Sequence, residues 1–171
     1  MRLTIELIPV RWSPSMMVNL RQEVHFLTQD IERSDWDILR RKSYRRAGYT
    51  CEVCGGKGGE HPVECHEVWD FDDDTQTQTL KGLVSLCPPC HQVKHIALQI
   101  LRDEWGWIKH LQRVNDLSQS EAQIYVQDCL DLWKLRSQHR WKRNLDWLHL
   151  SYEGLSESER VENFLRAISS K

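Results

Sequence analysis

Cys51-Glu-Val-Cys54-Gly-Gly and Cys87-Pro-Pro-Cys90-His91-Gln-Val-Lys-His95, whose cysteine pairs are separated by 32 residues, decide how this chain of 171 residues is read. Each stretch sets two thiols at C-x-x-C spacing, and two such pairs bracketing a histidine-rich segment point to a metal. An isolated C-x-x-C would leave redox chemistry as the rival. Four thiolates at the corners of a tetrahedron suit Zn2+ and leave no coordination position open, so the predicted site is structural. Cys129 lies among helix-spaced apolar residues and reads as a buried thiol without a part in the chemistry.

The residues between the pairs alternate between turn and strand signals. Gly55, Gly56, Gly58 and Gly59 mark turns, Val63 to Trp69 and Leu80 to Leu86 are short apolar strands, and the polar run Asp72 to Gln78 separates them. After Cys90 the positions Val93, Ile96, Ala97, Ile100 and Leu101 follow a helical period, so the motif runs strand, strand, helix. His91 and His95 are one helical turn apart and share a face, which lets them grip one ion. Cys65 and His66 are neighbours in a strand and point to opposite faces unless a bulge intervenes, so one can be a ligand while the other stays free.

Taken together, Cys-x-x-Cys, then Glu64-Cys65-His66-Glu67, then Leu86-Cys87-Pro-Pro-Cys90-His91 ending in Lys94-His95, resembles the HNH, or ββα-metal, endonucleases over roughly Trp36 to Leu101. The resemblance implies an α+β fold: a zinc-stapled ββα-metal core carrying an N-terminal strand and several flanking helices. It implies hydrolysis of DNA phosphodiester bonds with low sequence specificity. His66 maps to the general base, and Cys65, His91 and His95 to the ligands of a second, catalytic divalent ion (Mg2+, Mn2+, Ni2+ or Zn2+). Two positions depart from the family pattern. Cys65 stands where a carboxylate or imidazole is usual, which favours soft metals, and Gly82 falls where an asparagine often supports the base. These departures motivate the alternative, a weakened or inactive zinc module acting as a nucleic-acid- or protein-binding adaptor or inhibitor in a phage, mobile-element or immunity complex. Glu67, Asp70 and Asp72 offer nearby oxygens but read as ordinary loop acids, and His61 as a loop residue.

The net charge of −2 is not that of a protein that coats nucleic acid, so local charge carries the expectation of DNA contact. Arg40, Arg41, Lys42, Arg45 and Arg46 lie on a helix predicted from a Ser34 cap, helix-spaced Trp36, Leu39 and Tyr44, and a stop at Gly48. A second group comprises Lys134, Arg136, Arg140, Lys142 and Arg143. Each group reads either as a phosphate-contacting patch or as the solvated face of a helix.

Met1 to Val10 alternates like a strand, and Arg11 to Arg33 reads as irregular structure or a short helix. Beyond the motif, Trp105 to Val114 reads as a helix, and Ser118 with Glu121 makes a capping box for a longer one. Ser156 with Glu159 caps a last helix, whose Val161, Phe164, Leu165 and Ile168 form an apolar stripe for cis packing, a homodimer or a protein partner. The resulting organisation is 1–33 extension, 34–103 core, 104–150 helical extension and 151–171 helical tail. No stretch is apolar enough for a membrane span and no signal peptide opens the sequence, so a cytoplasmic protein is expected, where thiols stay reduced.

Overall fold

The computed structural model describes residues 2–9, 33–102 and 105–148. Helix α1, Arg33–Arg46, ends as the sequence predicts: Gly48, at φ 58°, takes the left-handed conformation that glycine adopts without steric cost. Strands β1, Glu64–Asp72, and β2, Thr77–Leu86, pair antiparallel in a hairpin, with His66 opposite Val84 and Cys65 opposite Ser85. The turn falls inside the polar run, where the Asp72 carboxylate accepts from the backbone N–H groups of Asp74 and Thr75 at 3.0 Å each.

Helix α2, Pro88–Lys94, follows β2 at once, and Pro88 suits the first turn because its missing N–H has no intrahelical partner there. Then come α3, Ile96–Leu101, α4, Gly106–Asn115, α5, Gln119–Arg136, and a three-residue strand β3, Lys142–Asn144. The Ser118–Glu121 capping box at the start of α5 is formed. Among the described residues this makes an α+β arrangement of five helices around a sheet of order β1-β2-β3.

Strand alternation sends the side chains of the β1–β2 hairpin to two separate cores. One face joins Val84 and Leu86 to Cys51, Cys87, Cys90, Val93, Ile96, Trp107, Leu111 and Leu3. The other packs Cys65, Trp69, Leu80 and Leu83 against Leu39 of α1 and Leu148. Each fully buried leucine contributes about 1.5–3 kcal/mol by leaving water. The buried hydroxyls of Ser43 and Ser85 meet at 2.8 Å and fasten α1 to the second face. The sheet is therefore covered on one side by α1 and on the other by α2, α4 and the N-terminal segment.

Three expectations need adjustment. Residues 2–9 join no strand; side chains satisfy their backbone instead, with Asn115 bridging both the N–H and the carbonyl of Leu3 and the Tyr125 hydroxyl accepting from Ile5. Alternation in that segment reflects wedging between helices and sheet, where successive side chains also face opposite sides. The helical stretch after Cys90 breaks at His95, whose φ of −107° and ψ of 44° separate α2 from α3. Lys142 and Arg143, part of a basic run in the sequence, belong to strand β3, which pairs parallel with β2. The apolar stripe at 161–168 and most of the Arg11–Arg33 stretch lie outside the described residues. No described helix is long and apolar enough to cross a membrane.

Candidate metal centres

Cys51 and Cys54 project from a tight turn closed by backbone bonds from Cys51 to the Gly56 carbonyl and from Gly55 to the Cys51 carbonyl. Cys87 is the N-cap residue of α2 and Cys90 sits in its first turn, behind Pro88 and Pro89. The two loops touch through Gly58: a β-carbon there would lie 2.7 Å from Pro88 Cδ, so only glycine lets the turn approach the helix.

The four sulfurs gather roughly 3.5–3.8 Å apart. A tetrahedral ion with Zn–S bonds of ~2.3 Å sets its sulfurs ~3.8 Å apart, so the donor set and spacing fit a structural zinc. The hydrogen bond with Cys90 pulls the Cys51 thiol down to about 4, and the same contact together with burial pushes Cys90 up. Four sulfurs crowded this closely cannot all ionise without a cation to offset their charge.

On the same sheet face, His66 of β1 meets His91 and His95 of α2 and its C-terminal boundary. His66 Nδ1 lies 3.2 Å from His95 Nε2, which lies 3.1 Å from His91 Nε2. Ligands at ~2.0–2.1 Å on a tetrahedral ion would be separated by ~3.3 Å. The far nitrogens face carboxylates: His91 Nδ1 is 2.5 Å from Glu64 Oε2, and His66 Nε2 is 3.5 Å from Glu6 Oε2.

Both carboxyls are held below the usual range. His91 lowers Glu64, while for Glu6 burial is outweighed by His66, the Lys94 ammonium and the Trp69 amide. Burial keeps His66 neutral by pulling its pKa down against the pull of Glu6. The ionised Glu64 carboxylate places the imidazole proton on His91 Nδ1, and the Glu6 charge 3.5 Å away favours the His66 proton on Nε2, leaving lone pairs on the two nitrogens that converge with His95. His95 Nε2 holds at most one proton and cannot satisfy both. A cation fits that deficit.

Glu6 is the node of this arrangement. Besides facing His66, it accepts from the Trp69 N–H at 2.8 Å and from Lys94 Nζ at 3.0 Å; Lys94 also donates to Thr4 Oγ1 at 2.8 Å.

Other residues expected at the site lie elsewhere. Cys65 points to the opposite face, among Leu39, Trp69 and Leu83, where burial and the Glu67 charge push its thiol up to about 12. It does not join the imidazoles. Strand alternation decided between neighbours, since the bulge falls later, between Val68 and Trp69. Gly82 lies beneath Trp147, whose ring would be 3.8 Å from a β-carbon at that position, so an indole occupies the space of the expected amide. Asp70 and Asp72 stay at the hairpin end and His61 in an exposed loop.

The basic residues of α1 ride on the layer across the sheet from the histidines. Arg40 pairs with Asp37 at 2.7 Å, Arg41 approaches the same carboxylate at 3.8 Å, and Arg46 binds Glu52 at 3.2 Å and the Leu83 carbonyl at 2.6 Å. Of the second group, Arg136 pairs with Asp73 and stacks on Phe71 with 4.6 Å to the ring centre.

Sequence reasoning missed Glu6, Lys94 and His110. His110 of α4 is buried with Nε2 at 3.1 Å from Cys90 Sγ and Nδ1 at 2.8 Å from an Arg113 guanidinium nitrogen. No periodic or spacing signal ties residue 6 or 110 to the motif; only folding brings them there. No protein-family model, curated protein or solved structure matches this chain.

Proposed function

We propose that this chain is a metal-dependent endonuclease that hydrolyses DNA phosphodiester bonds on an HNH-like, ββα-metal plan, with His66, His91 and His95 as the ligands of the catalytic ion. The observation that carries the reading is the convergence of three imidazole nitrogens, with the opposite nitrogens of two of the rings, His66 and His91, facing ionised carboxylates. Three neutral protein ligands are the donor set of a hydrolytic site with one position left for water or substrate, unlike the closed four-cysteine set.

An ion in this position supplies Lewis acidity toward water and a phosphoryl oxygen. Glu64 holds the proton on His91 Nδ1 and keeps Nε2 available as a donor to the ion. Glu6 faces His66 Nε2 at 3.5 Å and acts on it through its charge, and Lys94 offsets that charge so that the buried carboxylate stays ionised. His66 turns Nδ1 into the cluster, 3.2 Å from His95 Nε2, while its buried Nε2 lies 3.5 Å from Glu6 without a hydrogen bond. It therefore serves as a ligand in this proposal rather than as the general base.

Two observations favour a second reading, the non-cleaving adaptor or inhibitor. Among the described residues no further histidine or carboxylate joins the cluster as a free base, and the α1 cations lie across the sheet. The deciding experiment incubates supercoiled plasmid with the full chain plus magnesium, manganese, nickel or zinc, with His91→Ala and His66→Ala alongside. Nicked or linear DNA that both substitutions abolish, with the cysteine-bound zinc retained, supports the endonuclease. Intact plasmid with every metal, although the wild type binds a second ion, supports the adaptor.

A further inference from the structure

We infer that His110 is an outer partner of the four-cysteine ion, donating its Nε2–H to the Cys90 sulfur in a tautomer fixed by Arg113. Arginine carries only donors, so the 2.8 Å contact makes His110 Nδ1 an acceptor. The single proton of the neutral ring is then on Nε2, 3.1 Å from Cys90 Sγ. Cys90 is fully buried, and a thiolate removed from water gains more from a charge-assisted donor than an exposed one does. Arg113 orients the ring and His110 spreads the sulfur charge, so both are positioning residues.

This makes α4 part of the zinc unit. Its Trp107 and Leu111 pack in the same core as Cys51, Cys87 and Cys90, so ion binding and docking of the helix are coupled. The inference does not depend on the histidine cluster or on any nuclease activity.

The test uses the full chain loaded with zinc, or with cadmium-113 as a spectroscopic substitute. In the wild type, nitrogen-15 NMR should find His110 protonated at Nε2, with scalar coupling between that proton and cadmium through the sulfur. A proton on Nδ1, or no coupling, overturns the proposal without any mutation. His110→Leu should weaken zinc retention against a chelator by about ten- to hundredfold, the range for a hydrogen bond to a charged group. His110→Gln, which keeps an N–H near the same place, should recover most of that loss. Equal weakening in both variants, or none in either, would mean that His110 only fills space.

Discussion

Replacing Glu6 with Gln keeps the shape of the node that ties the N-terminal segment to the histidine cluster while removing its charge. Lys94 Nζ lies 3.0 Å from Glu6 Oε2, and the two side chains are 8% and 11% exposed, so solvent screens the pair little. At that distance an effective dielectric constant of ~20 gives an attraction of about 5 kcal/mol before desolvation is subtracted. Removing one partner of a buried pair costs about 3–5 kcal/mol because the other charge is left uncompensated. Urea unfolding of the zinc-saturated protein should therefore show Glu6→Gln destabilised by about 3 kcal/mol or more. A chain of this size should lose roughly 6–12 °C in Tm.

Lys94→Met removes the stranded ammonium, so the double substitution should cost about 2 kcal/mol less than the sum of the single ones. A loss below about 1 kcal/mol for Glu6→Gln, with additive double-substitution behaviour, would refute the reasoning. The sign with pH follows from the depressed carboxyl: its folded-state pKa lies below the unfolded one. The contribution is thus complete above the ordinary carboxyl range and disappears as pH falls through the folded value. Glu6→Gln should flatten the acid limb of the stability curve.

Glu64→Gln should weaken binding of a divalent ion at the histidine cluster by about 10–100-fold in calorimetric titration, since the partner of His91 Nδ1 sets the basicity of its other nitrogen, and should leave the cysteine-bound zinc in place. Ser43→Ala strands the fully buried Ser85 hydroxyl and should cost about 1–3 kcal/mol in urea unfolding, much of it recovered by adding Ser85→Ala. Gly58→Ala forces the cysteine turn away from Pro88 and should lower the stability of the zinc-loaded protein by about 1–3 kcal/mol, with faster zinc loss to a chelator.

Local chemistry made several features legible before folding. Two C-x-x-C pairs point to one tetrahedral cation site, because the spacing within each pair is fixed by a single turn of chain and sets two sulfurs side by side. His91 and His95 share a helix face through the i, i+4 relation, and β1 and β2 announced themselves by apolar runs separated by a polar turn. The Ser118 capping box and the stop at Gly48 are likewise properties of a few consecutive residues. What sequence could not weigh was the choice between Cys65 and His66, because a strand shows one residue to each face and the pattern does not say which face meets α2.

The amino-acid sequence by itself determined the two cysteine pairs that could hold a metal ion, the strand, strand, helix order around them, and the histidine pair. The tertiary structure alone decided that His66 joins that pair while Cys65 turns into the opposite core, that the basic helix α1 lies across the sheet, and that Glu6 and Lys94 stand beside the histidine cluster and His110 beside the cysteines. The reason is sequence separation. Ligand spacing and helix phase are fixed by backbone geometry over a few residues, whereas Glu6 and His66, or Cys90 and His110, meet only because burial of the shared core brings distant segments together and makes their charges pair.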